Sequence, residues 1–179
     1  MRALWAMTTL AALAAAQPAR AADLATLGCI RQQLPASALA EVATAAHDLA
    51  DGKEALATEE LQGAVAAAGQ ACTTLHGWSV AARDAALIHG IAATTRETLD
   101  QIAIERGVKL DALAAALAAL TPAQRANFMG GMEAAANALI AQLKNQGMPT
   151  ITTTQAQVIG VLALMMIIQD DSRATFVAS

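Results

Sequence analysis

Apolar positions recur along this chain at intervals of three and four, and nowhere do they alternate with polar ones over the length of a strand. The pattern predicts helices from end to end. A first helix is expected from about Asp23 to Gln33, stopping before Pro35. A second, capped by Ser37, ends near Gly52, and a third runs from Lys53 to about Leu75 with His76-Gly77-Trp78 as its turn. Ser79 then caps a long helix reaching Gly107, with Leu87, Ile88, Ile91, Leu99 and Ile102 on one stripe. Leu110, Leu113, Leu117 and Leu120 follow at 3-4-3 spacing, which is a helix-packing seam.

Thr121-Pro122-Ala123-Gln124 is a start signal: threonine caps, proline fits the first turn, and Gln124 can reach back to close a capping box. The helix it opens is expected to run to about Gln146, with Gly147 as its stop and Phe128, Met132, Ala136, Leu139 and Leu143 on one face. Gly130 and Gly131 interrupt it. Each glycine costs a helix about 1 kcal/mol relative to alanine, so the pair marks a kink or a close helix crossing, with Gly160 as the matching contact. After Pro149 a short linker leads to a last helix, for which Thr154 is the expected cap.

That last helix contains VIGVLALMMII, Val158 to Ile168, eleven residues without a polar side chain. Eleven residues of helix cover about 16 Å against a hydrocarbon core of about 30 Å, and glutamines, threonines, Asp170 and Asp171 flank the run. It is too short to span a membrane. A helix apolar on every side must be surrounded, so the run is expected at the centre of the fold, its first half buried and its last turn partly open. The fold class predicted is all-α: a compact bundle of six or seven helices with a hydrophobic C-terminal core helix. No period of 20 to 50 residues recurs, which argues against a solenoid.

The other apolar run changes the compartment. Residues 1–21 hold Arg2, an apolar segment from Ala3 to Ala16, Pro18 and the triplet Ala19-Arg20-Ala21, the pattern of a secretory signal peptide cleaved after Ala21. The expectation is a periplasmic or secreted protein whose mature part, 22–179, is a single all-α domain with an N-terminal half, 22–77, and a C-terminal half, 78–179. An uncleaved anchor is disfavoured by the short apolar segment. A lipid anchor on Cys29 is disfavoured because Pro18, Arg20 and Asp23 intervene. Without residues 1–21, nine basic residues face fifteen acidic ones, so the formal charge moves from −4 to −6. Such a surface offers no basic stripe for phosphates, and 2% aromatic content leaves little to stack on bases. No nucleic-acid partner is expected.

Export also bears on the two cysteines. Cys29 and Cys72 are the natural disulfide pair of an oxidising compartment, closing the 22–77 half. Elsewhere the chemistry is sparse. His47, His76 and His89 lie in three separate segments with no pair at i, i+4, so no metal site is assigned. Met129 and Met132 could offer thioethers to Cu(I), but gap-filling beside the glycine pair explains them better. No nucleophile elbow, phosphate loop or haem-attachment spacing occurs, and the neighbours Glu59-Glu60 and Asp170-Asp171 point apart on a helix. Neither catalytic residues nor a cofactor is assigned.

LTPAQ, Leu120 to Gln124, is similar to the Leu-Thr-x-x-Gln motif of a family of small all-helical periplasmic chaperones that carry two copies, and ITTTQ, Ile151 to Gln155, is a looser second match. The resemblance implies binding of unfolded or aggregating proteins on a concave cationic surface. It covers ten residues, and this chain is acidic where that cradle is basic, so no family is assigned on it.

The expected function is a non-catalytic envelope protein that binds apolar segments of a protein partner, chaperone-like or as an adaptor. Phe128, Met129, Met132, Met165, Met166, Ile167 and Ile168 are its candidate binding residues, since methionine-rich apolar patches adapt to varied partners; the same patch would also serve as the contact surface of a homodimer. Two alternatives stay open: a structural or inhibitory partner of one envelope protein, and an enzyme using small-molecule or metal chemistry in the bundle core.

Overall fold

The computed structural model describes residues 22–131 and 133–179. The signal-peptide pattern and Met132 lie outside the described residues. Among those described, the chain is all-helical with no strand. A 3-10 turn, Leu24–Thr26, precedes α1 (Cys29–Gln33), α2 (Ala36–Ala50), α3 (Glu59–His76), α4 (Val80–Glu105), α5 (Leu110–Ala118), α6 (Pro122–Met129), α7 (Glu133–Asn145) and α8 (Thr153–Ala178). Eight helices replace the expected six or seven. The extra helix comes from the glycine pair, where Gly131 adopts φ +69° and the expected 121–146 helix divides into α6 and α7; Gly28 also sets the 3-10 turn apart from α1, which shortens the first expected helix. A left-handed residue cannot continue a helix, so in place of the expected kink the helix ends.

Local chemistry places the helix starts. Ser79 accepts from the Ala82 amide and Thr58 from the Leu61 amide, so α3 begins at Glu59 and 51–58 is a connection rather than helix. Pro35, not Ser37, occupies the cap position of α2. Thr121 and Gln124 form both bonds of the capping box opening α6. Thr152 and Gln155 do the same for α8, two residues before the expected cap at Thr154, although Thr154 also has a glutamine, Gln157, three positions on. Both Thr-x-x-Gln matches are therefore helix starts.

α4 and α8, 26 residues each, are antiparallel partners along most of their length: Arg106 meets Thr154 and Gln155 at one end, and His89 meets Gln169 and Ser172 further along. Small residues on α4, among them Ala82, Ala86, Gly90 and Ala103, let its neighbours approach. Gly90 is the tightest case, since a Cβ there would stand 2.9 Å from Cβ of the buried Ile30, so α1 crosses α4 at a point only glycine accommodates.

Two apolar clusters flank this pair. One joins Leu99 and Ile102 of α4, Leu113 and Leu117 of α5, Leu139 and Leu143 of α7, and Val158, Ile159, Leu162 and Ile167 of α8. The other joins Ile30, Leu34, Val42, Cys72, Trp78 and Ala86 with Phe176, from the last turns of α8. Phe176 is fully buried and meets the Trp78 ring edge-on with centroids 5.3 Å apart, while Trp78 donates its indole N–H to Thr26 Oγ1. Ile88, expected on the buried stripe of α4, is 55% exposed: the buried residues Ala85, Ala86, Ala92 and Leu99 put the core-facing side elsewhere.

The apolar run is not enclosed on every side. Val158, Ile159, Leu162, Ala163 and Ile167 are buried, whereas Gly160, Val161, Leu164, Met165, Met166 and Ile168 are half-buried. The opening follows one side of the helix along the run instead of being confined to its last turn. No helix among the described residues is long and apolar enough to cross a membrane.

Candidate functional site

The half-open side of α8 meets the α6–α7 corner in an apolar cleft of about 280 Å³, lined by Phe128, Met129, Gly131, Ala136, Gly160, Val161 and Leu164. Its construction follows from three glycine positions. Gly130 and Gly131 end α6, so Phe128 and Met129 occupy its last turn beside the corner. Gly160 has no atom within 4 Å of where its Cβ would stand, so on α8 it leaves space where another residue would put a side chain. No charged residue lines the cleft. Where the sequence suggested that Gly160 allows a close helix crossing, it instead leaves room.

The candidate binding residues separate accordingly. Phe128 is half-buried against the C-terminal cluster and Met129 is 44% exposed, and both line the cleft. Met165 and Met166 are half-buried and pack on the same cluster, but neither lines the cleft; Ile168 is half-buried. Ile167, at 2% exposure, points into the core and offers no accessible surface. The residues that join Phe128 and Met129 are Gly160, Val161 and Leu164, one to two turns earlier than expected. The glycine within the apolar run was the signal for them.

Two further concavities are more polar. Between α2 and α4 a groove of about 390 Å³ includes Arg31, His47, Glu97, Gln101 and Glu105, with Arg31 and Glu97 ion-paired. At the Trp78 end, a hollow of about 430 Å³ includes Asp23, His76 and Ser179. Among the described residues no three His, Cys, Asp or Glu side chains gather as a metal site would require.

One Ser-His pair calls for a chemical reading. His89 Nδ1 lies 3.3 Å from the Gln169 carbonyl and 3.4 Å from Ser172 Oγ. A carbonyl only accepts, so Nδ1 carries the proton. Ser172 in turn donates to the Ile168 carbonyl at 2.6 Å and is buried, so its hydroxyl proton is committed to its own helix. The pair lines none of the three concavities above, which suits a polar seam between α4 and α8 better than an activated nucleophile. Arg96 extends the seam, donating to Gln169 Oε1 and pairing with Asp100 one turn along. Burial raises the Asp100 carboxyl above its ordinary value, partly offset by Arg96.

Burial lowers the His89 pKa, with Arg173 adding to the shift and the bond to Gln169 opposing it. The folded protein therefore prefers the neutral ring. The stability this contributes is complete above the ordinary imidazole value of about 6.5 and is lost as pH falls through 6.5 towards the lowered folded value. The thermal midpoint is expected to fall between pH 7.5 and 5.5, and His89→Gln should flatten that stretch of the profile. Asp100, shifted upward, contributes with the opposite sign and at lower pH. An unchanged slope in the variant would show that His89 is not its source.

No family model, curated protein or solved structure matches this chain.

Proposed function

We propose that this chain is an exported, non-catalytic protein of the cell envelope that holds an apolar segment of a protein partner in the cleft between α6, α7 and α8. In this reading the helices form one compact bundle with α8 at its core. The observation that carries the proposal is the cleft itself, seven residues with no charge among them, beside a half-uncovered apolar helix. Ligand pockets for whole small molecules run from about 300 to 1,000 Å³. A cleft of about 280 Å³, open on one side, suits one or two inserted side chains of a larger partner. Export rests on the leader pattern, and the Cys29–Cys72 disulfide fits an oxidising compartment.

The test uses the mature protein with an environment-sensitive apolar dye and, separately, an aggregating model client. Both dye binding and slowed aggregation are expected. Gly160→Phe should fill the cleft and weaken dye binding at least about tenfold, equivalent to roughly 1.4 kcal/mol, while helical content is retained. A folded wild-type monomer that shows neither effect would remove the basis for the reading. If the protein is instead a dimer that Gly160→Phe dissociates, the occupant is a second copy.

A further inference from the structure

The cleft has one wall that the rest of the fold barely holds. None of the eight residues of α6 is buried; Gln124, Arg125 and Phe128 are half-buried and the others exposed. The α6 segment supplies its own backbone partners. Thr121 and Gln124 cap its start, the Gly130 amide donates to the Ala126 carbonyl, and the Gly131 amide donates to the Phe128 carbonyl. Detaching it therefore need not break these bonds. At its far end Gly131 has φ +69° and no atom within 4 Å of a Cβ position, so the chain can turn there without steric conflict.

Among the described residues, Phe128 and Arg125 tie α6 to its neighbours. Phe128 rests half-buried on the C-terminal cluster. Arg125 reaches both neighbours, with Nη1 3.3 Å from Asp170 Oδ2 on α8 and Nη2 donating to the Leu117 carbonyl of α5 at 3.2 Å. The Arg125–Asp170 pair is solvent-exposed, with Asp170 66% accessible, and exposed pairs shift an equilibrium by no more than about fivefold. Beside the last turn of α6 lie Gly160, Val161 and Leu164.

We propose that α6 is a flap latched by Arg125, turning about Leu120-Thr121 and Gly130-Gly131 to uncover the apolar side of α8 for the partner segment. Opening lifts Phe128 off the cluster, so the open form is the minor one and the partner selects it. What enters rests on the binding reading above. The opening itself is a property of the free protein and is measurable without any ligand.

Amide hydrogen exchange on the mature protein tests it. Once detached, α6 has only eight residues, too few to hold its helix alone, so amides of 125–131 should exchange by this local opening, well ahead of those in the buried stretch of α8. Arg125→Gln should raise the α6 rate about two- to fivefold and leave α4 and α8 unchanged. Asp170→Asn, which spares the bond to Leu117, should act in the same direction with a smaller effect. If α6 and α8 exchange together, or if α6 ignores both substitutions, the flap is overturned. Dye binding separates the two proposals: a protein that opens locally yet binds no dye keeps the flap and loses the binding site, and one that binds dye without local opening does the reverse.

Discussion

Leu162→Asp is expected to leave the chain unfolded at room temperature. Leu162 is fully buried in the C-terminal cluster, on the side of α8 that also carries Val158 and Ile159. The substitution removes a leucine whose loss to alanine alone costs about 2–5 kcal/mol, and adds a carboxylate whose burial without a partner costs several more. Typical total stability is about 5–15 kcal/mol, so the sum is comparable with the whole. Leu164→Asp, two residues on and half-buried at the cleft, should keep its helical circular-dichroism signal and a cooperative melt. A Leu162→Asp protein that still melts cooperatively within a few degrees of wild type would mean that α8 is not the core helix.

That contrast also shows where sequence reading succeeded and where it stopped. Helix starts were legible because capping is local: Ser79, and Thr121 with Gln124, declare themselves within four residues. The disulfide pair was legible for a different reason, since two cysteines leave one intramolecular pairing. The extent of α8 was not. The sequence marks no end for it beyond the apolar run at Ile168, yet the helix continues to Ala178, where Phe176 inserts into the second cluster against Trp78. A single aromatic after a charged run carries no periodicity, so nothing local announces it. Glycines were the other blind spot. Gly90, Gly131 and Gly160 read alike in one dimension, but the structure uses the first for contact, the second for a left-handed stop and the third for empty space. Which role a glycine takes depends on what the tertiary fold brings opposite it.

The same limit applies to the site. Phe128 and Met129, named among the candidates, line the cleft, while Gly160, Val161 and Leu164, which line it with them, were not named as binding residues. An entirely apolar run has almost no amphipathic signal, so its open side cannot be read from the run itself. That side is set by the neighbours: α4 covers one side over most of its length, and α6, a helix with no buried residue, meets the other.

Replacing Cys29 and Cys72 together by alanine should cost about 4 kcal/mol, the chain-entropy value for releasing a loop closed across a separation of 43 residues. The bridge ties α1 to α3, and both half-cystines lie in the N-terminal cluster, so the loss falls first on that end. α1 has only five residues, too few to be stable by itself. What else holds it is Ile30 against Gly90 and the exposed Arg31–Glu97 pair, worth at most about 1 kcal/mol. Urea unfolding of the double variant should show a lower midpoint and a steeper slope, because the released denatured chain exposes more surface. Wild type under reductant should lose the same stability, and thiol labelling of the denatured, unreduced protein should find no free cysteine. The C-terminal cluster contains neither cysteine, so hydrogen exchange around Leu139, Leu143 and Leu162 should suffer less than around Ile30 and Val42. A double variant within 1 kcal/mol of wild type would show that packing against Gly90 holds α1 without the bridge. A uniform loss across both clusters would show instead that α4 and α8, which supply both, bind the two ends into one cooperative unit.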